Sequence, residues 1–328
     1  MRYKSAKNAG IEISEMAVGT WAIGGQMWGE VNDLDSIKAI RAMIDNGVNL
    51  VDTAPIYADG HSEEVVGKAL LDGYREKVII STKFGVSYAP DGSVINNNSY
   101  DNVIFECDES LRRLQTDVID IYIVHWPDPN TSIEETMSAL NYLKEQGKIK
   151  FIGMSNYDKA GIQEAQKYAQ IDFVQLPFSM VKEDDKALLE WCESEGMGIM
   201  TYGSLGSGIL TGAIRQKPDW SADDVRLTFY DYYHEPKFSK ILTLLETMDK
   251  IAAKYNVPLA QIAMNWSGAK EFVTTSIVGV RNEAEVIENT AAYTWSLDAS
   301  DVQLLDDKLA ELKISDGKAM AAAVRNTK

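Results

Sequence analysis

The chain has 328 residues, 45% hydrophobic and 25% charged, enough apolar surface for a large core, which excludes a disordered chain. With 49 acidic against 32 basic side chains the net charge is −17, which repels phosphate backbones and anionic bilayers and argues against nucleic-acid and membrane partners. Two cysteines, Cys107 and Cys192, make neither a disulfide scaffold nor a metal cluster.

No apolar run of about 18 residues appears, so no membrane span is expected. The start MRYKSAKNAGIEISE has no apolar h-region, and a cytoplasmic location is the expectation. Residues 1–15 read as a small hairpin. Residues 16–20 are a short apolar run. Residues 36–46 place Ile37, Ile40 and Ile44 on one helical face, stopped by Gly47. Residues 48–52 are strand-like, and 62–71 helical with Ser62 as N-cap. Residues 77–83 are rich in β-branched side chains, 100–114 are helical, and 118–124 are strand-like. Residues 132–146 form a helix ended by Gly147. Strands come next at 149–154, 173–176 and 198–202, with helices at 158–169 and 184–195 between them. A less regular stretch covers 203–236. Residues 240–255 are helical, 274–278 form a last strand, and 283–293 and 298–312 read as closing helices.

Strands alternating with helices imply a parallel sheet. Eight such units point to a closed barrel more than to an open doubly wound sheet. The expected fold is thus α/β, a (β/α)8 TIM barrel. Residues 1–328 form a single domain with an N-terminal β-hairpin closing the barrel bottom and an extra C-terminal helix. No linker, charge block, low-complexity segment or internal repeat interrupts it.

Active sites of such barrels lie where the strands end. The polar residues ending the apolar runs are chemically coherent here: Asp52, Lys83, His125, the pair Ser155 and Asn156, and Gln175. Tyr57 lies in the loop just above Asp52. A Tyr phenol has a pKa near 10, and a nearby ammonium lowers it. An Asp beside the Lys keeps the ammonium charged and aimed, and a His beside the Tyr orients a carbonyl oxygen or relays a proton. Such a group can protonate a developing alkoxide as a carbonyl is reduced. Taken singly, the Asp reads as a turn residue or N-cap, the Lys as solvated and the Tyr as half core. Together, at the mouths of consecutive strands, they point to chemistry. GSLGSG (203–208) offers backbone N–H groups to an anion. Trp21 and Trp126 stand at strand ends and can line an apolar cleft. Trp28 is a further aromatic of note, and the run FYDYY from Phe229 to Tyr233 either walls that cleft or forms a surface knot. His61 reads as structural, packing near Tyr57; His234 reads as exposed and Cys107 as packed.

LVDTAPIYADGHSEEVVGKAL (50–70), STKFG (81–85), IDIYIVHWPDP (119–129) and GKIKFIGMSNY (147–157) resemble, in order and spacing, the signatures of the aldo-keto reductases. The resemblance covers about residues 10–314. GTWAIGGQMWG (19–29) and YGSLGSGILTG (202–212) are similar to the bacterial branch of general stress and inositol-operon oxidoreductases. The resemblance implies a catalytic set of Asp52, Tyr57, Lys83 and His125, with Tyr57 as general acid. It implies a nicotinamide held by Ser155, Asn156 and Gln175 with Tyr202 stacked on it, beside Thr20 and Trp21. The pyrophosphate would lie along Gly203, Ser204, Leu205 and Gly208, and the adenosine end against Gly279, Arg281, Glu285 and Asn289. The family binds its cofactor without a GxGxxG motif, and none is present. The implied cofactor is NADP. Glu285 stands where many relatives carry Arg or Gln, and Val280 where many carry Ser, Thr or Lys. A carboxylate there repels a 2′-phosphate, so NAD is also admitted. Arg281 and Glu285, four apart, can instead pair with each other. The expected partner is a small carbonyl substrate; no feature specifies a metal or an oligomer. Two other readings share these residues: a redox-sensing module like potassium-channel β subunits, and a Schiff-base aldolase using Lys83.

Overall fold

The computed structural model describes residues 1–24, 32–220, 227, 230–280 and 282–315. Trp28, Phe229 and Arg281 lie outside these residues. The chain opens with an antiparallel hairpin, β1 (Tyr3–Ala6) and β2 (Ile11–Ser14). The strand–helix alternation comes next: β3 (Met16–Gly19), α1 (Asp33–Asp45), β4 (Leu50–Asp52), α2 (His61–Ala69) and β5 (Ile79–Phe84). A second hairpin, β6 (Val86–Tyr88) and β7 (Val94–Asn96), precedes α3 (Tyr100–Leu114). Then come β8 (Ile119–Val124), α4 (Ile133–Glu145), β9 (Ile149–Ser155), α5 (Lys159–Ala165), β10 (Phe173–Pro177), α6 (Lys186–Ser194) and β11 (Gly198–Tyr202). The last elements are α7 (Lys237–Tyr255), α8 (Leu259–Gly268), β12 (Thr275–Gly279), α9 (Glu283–Ala291) and α10 (Ala299–Leu312).

Eight of the strands pair in parallel into a closed barrel, in the order β3, β4, β5, β8, β9, β10, β11, β12 and back to β3. This is the (β/α)8 barrel. Because side chains alternate across a strand, every second residue points inward. The lower inner layer is apolar: Ala17, Leu50, Ile121, Ile123, Phe173 and Met200 pack on Ala6 and Ile13 of the β1–β2 hairpin, which closes the bottom. A larger cluster fills the space between the barrel and its helices. Burying such side chains stabilises each by roughly 1.5–3 kcal/mol, which fixes the register of every strand.

Two elements run against the sequence reading. The β6–β7 hairpin is three residues per strand inside a Gly-, Pro- and Asn-rich stretch, so it reads as loop. Helix α8 is buried on nearly every side, Gln261 and Asn265 included, and carries no charged side chain that would mark a solvent face. Ser62 is not the N-cap of α2. The helix starts at His61 after Gly60, whose φ of 88° only glycine adopts freely. The Ser62 hydroxyl instead donates to Thr20 Oγ1 at 2.9 Å and meets Thr53 Oγ1 at 3.1 Å, tying α2 to the ends of β3 and β4.

Candidate active site

Strand periodicity carries the polar residues into the barrel mouth. Leu50, Ile123, Phe173 and Met200 of the apolar layer are each followed two residues later by Asp52, His125, Gln175 and Tyr202. Lys83 is fully buried among them. Its ammonium donates to Asp52 Oδ1 at 2.6 Å, to the Thr53 carbonyl at 2.8 Å and to the Tyr57 hydroxyl at 3.4 Å. The other Asp52 oxygen accepts from Ser81 Oγ at 3.0 Å and from Gln175 Nε2 at 2.9 Å. The carboxylate is therefore fixed by three side chains from two other strands, β5 and β10. The Tyr57 and His125 rings meet edge to face, with centroids 6.1 Å apart at 82°.

The electrostatics follow from burial and from the Lys83–Asp52 pair. Loss of water lowers the Lys83 pKa, but the Asp52 charge and hydrogen bond outweigh it, and the net direction is up. Tyr57 corrects the expectation of a lowered phenol. Burial raises its pKa, Lys83 pulls it back, Asp52 raises it again, and the net direction is up. His125 is held well below its usual 6.5, first by burial and then by the Lys83 charge, so its ring is neutral. At pH 7 the site holds a neutral phenol, a charged ammonium and a neutral imidazole.

The neighbouring strand ends bring further candidates to the same mouth. Asn156 has a left-handed backbone, φ 63°, which turns its side chain back over β8. Its Nδ2 donates to the His125 carbonyl at 2.9 Å and to Ser155 Oγ at 3.0 Å, while Oδ1 accepts the Tyr202 hydroxyl at 2.9 Å. Thr20 Oγ1 donates to the Asp52 carbonyl at 3.0 Å. Trp21 is 37% exposed, its ring 6.3 Å from that of Tyr57, and Trp126 is half-buried next to His125. Ser204 is buried and Leu205 half-buried. Gly203 and Gly208, with φ of 70° and 94°, have no atom within 4 Å of where a Cβ would stand, and the same space lies open at Gly279. A cradle of backbone facing open space fits an extended dinucleotide. Asn289 is buried, its Nδ2 donating to the Gly279 carbonyl at 3.3 Å. Half-buried Glu285 lies in the first turn of α9, its N–H bonded to the Asn282 side chain at 3.0 Å. The pairing of Glu285 with Arg281 falls outside the described residues.

His61 has the structural role expected of it: its Nε2 meets Asp33 Oδ1 at 2.8 Å, which ties α2 to α1. His234 is exposed and Cys107 buried, its thiol pushed up to about 12 by burial. Ser81 was not singled out from the sequence. Its signal was its place two residues before Lys83, which puts both on the inner face. Among the described residues no group of His, Cys, Asp and Glu could hold a metal ion. None of their helices is long and apolar enough to cross a membrane.

The profile of the Aldo/keto reductase family matches residues 15–310. The chain is 34% identical to the aldo-keto reductase YhdN of Bacillus subtilis, over 92% of this chain and 91% of that one. It is 33% identical to an NADH-specific methylglyoxal reductase of Escherichia coli, over 90% and 94%. The glycerol dehydrogenase structure from Gluconobacter oxydans superposes with a TM-score of 0.84 at 32% identity, covering 92% of this chain and 93% of the other.

Proposed function

Because the chain belongs to the aldo/keto reductase family, we propose that it is an NAD(P)H-dependent carbonyl oxidoreductase with Tyr57 as general acid. On this reading residues 1–328 act as one cytoplasmic barrel domain on a small aldehyde or ketone. The observation that carries it is the hydrogen-bonded set of Tyr57, Lys83 and Asp52 beside a neutral His125.

When bound, the reduced nicotinamide supplies the hydride. Ser155, Asn156 and Gln175 would hold its carboxamide, with Tyr202 against the ring and Thr20 and Trp21 alongside. Gly203, Ser204, Leu205 and Gly208 would receive the pyrophosphate; Gly279, Arg281, Glu285 and Asn289 would receive the adenosine. Trp21 and Trp126 would flank the substrate. Tyr57 passes its phenolic proton to the carbonyl oxygen. Lys83 stabilises the phenolate left behind, as a charge already in place that needs no reorganisation. Asp52, held by Ser81 and Gln175, keeps the ammonium charged and aimed. Neutral His125 orients the oxygen without competing for the proton. The protein accepts NADH as well as NADPH, with Glu285 setting the ratio.

The test is a fluorescence titration with NADPH and with NADH, followed by turnover of a reactive aromatic aldehyde by wild type and Tyr57→Phe. Tyr57→Phe is expected to keep cofactor affinity and lose about 10²–10⁴-fold in turnover. Unchanged turnover removes Tyr57 from its role. Tight binding with no turnover of any carbonyl by wild type points instead to a sensing module.

A further inference from the structure

The asparagine run that ends β7 takes no part in the reaction above, yet it touches the strand ends that carry Lys83 and His125. Asn96 Nδ2 donates to the Pro127 carbonyl at 3.0 Å. The Asn97 N–H donates to the carbonyl of Gly85, just past β5, at 2.9 Å. Asn98 is fully buried; its Nδ2 donates to the Trp126 carbonyl at 2.9 Å and to the Tyr157 hydroxyl at 3.4 Å. Its N–H donates to Asp128 Oδ2 at 3.0 Å, and its carbonyl accepts from Thr136 Oγ1 at 2.9 Å. The remaining amide atom, Oδ1, is buried and has no hydrogen-bond partner among the described residues. It faces Gly85, where a Cβ would stand only 1.9 Å from it. Gly85 has a φ of 88°, so backbone conformation and space both require glycine there.

The side chain is thus wedged between three strand ends. Gly85 lies two residues beyond Lys83, Trp126 directly follows His125, and Tyr157 directly follows Asn156. The loop after β8 needs such outside donors. The Trp126 and Pro127 carbonyls accept from the Asn98 and Asn96 side chains.

We propose that Asn98, supported by Asn96, is a positioning residue for carbonyl reduction, setting where His125 and Trp126 stand relative to Lys83. The proposal rests on the reductase reading above. An aspartate in place of Asn98 has the same shape but, when ionised, no donor for the Trp126 carbonyl or the Tyr157 hydroxyl. Once protonated it regains a donor.

The experiment compares full-length wild type with Asn98→Ala, Asn98→Asp and Asn96→Ala in aldehyde kinetics, cofactor titration and hydrogen exchange. In Asn98→Ala the KM for an aromatic aldehyde is expected to rise about fivefold or more, with cofactor affinity within about twofold of wild type. In Asn98→Asp the KM defect grows as pH rises and the carboxyl ionises, and it shrinks again in acid. Peptides covering 84–88 and 124–130 exchange faster in both variants. Wild-type KM together with unchanged exchange overturns the proposal. So does an equal fall in cofactor affinity and kcat, which marks a merely structural residue. A wild type that turns over no carbonyl sinks the reductase reading, and exchange at 124–130 then decides on the clamp alone. If Asn98→Ala does not fold, Asn96→Ala carries the same readouts.

Discussion

Glu106 lies on α3 behind the end of β5, and its burial makes stability depend on pH in an unusual direction. Both carboxylate oxygens accept the Gly85 N–H, at 3.3 and 3.2 Å, and Oε1 also accepts from Asn102 Nδ2 at 2.6 Å. Burial raises its pKa from 4.5 to about 7; the Asn102 and Gly85 bonds oppose the rise, Glu63 adds to it and Arg113 opposes it. A carboxyl with a raised folded pKa binds its proton more tightly in the native state. Stability is full below pH 4.5, falls as pH climbs to about 7, and is level above that. The loss at pH 8 is about 3 kcal/mol, at roughly 1.4 kcal/mol per pH unit between the two pKa values. Glu106→Gln keeps an acceptor for Gly85 and removes the charge. The variant is expected to match wild type at pH 5 and to melt about 5 °C higher at pH 8. The assay is thermal unfolding by circular dichroism from pH 5 to 8 at fixed ionic strength. An equal difference in melting temperature at both ends, or a less stable variant at pH 8, refutes the reasoning.

Lys83→Met strands the Asp52 carboxylate in the barrel without its counter-charge, so unfolding free energy should drop by about 3–5 kcal/mol, measured by urea denaturation. Pairing it with Asp52→Leu should recover most of that loss while activity stays abolished. Glu285→Arg is expected to shift the ratio of dissociation constants towards NADPH; a ratio that does not move means that Glu285 does not face the 2′-phosphate. Alcohol oxidation needs the Tyr57 phenolate, whose pKa is raised. Its rate should therefore still climb about tenfold per pH unit up to the ordinary phenol pKa of about 10, and a plateau below that pH contradicts the direction.

Much of the barrel was legible because the principal strands and most helices carry their burial in their spacing. Helix α3 runs from Tyr100 to Leu114 and β11 from Gly198 to Tyr202, as read. What escaped has a physical reason. Helix α8 packs on nearly every side, so its sequence lacks the charged face that makes a helix visible. Ser62 carries a good capping side chain, but Gly60 supplies the turn that begins α2, leaving the Ser62 hydroxyl for Thr20 and Thr53. Tertiary contacts took a side chain that local propensity had assigned to the helix end.

Within the site, strand ends told where Asp52, Lys83 and His125 would stand, since an inward residue at the top of a barrel strand has little else to face. They did not tell the balance of forces on Tyr57. Proximity to an ammonium lowers a phenol's pKa, and from residue types alone that was the only force in view. The fold adds two more: the ring is withdrawn from water, and the ammonium is already neutralised by Asp52 at 2.6 Å. The phenol is protonated at neutral pH, and the net rise costs it some acidity. Lys83 then acts after the proton has left, when a phenolate stands beside it. The Asp52 contact thus gives up some acidity in the resting phenol and in return keeps Lys83 charged in a fully buried place.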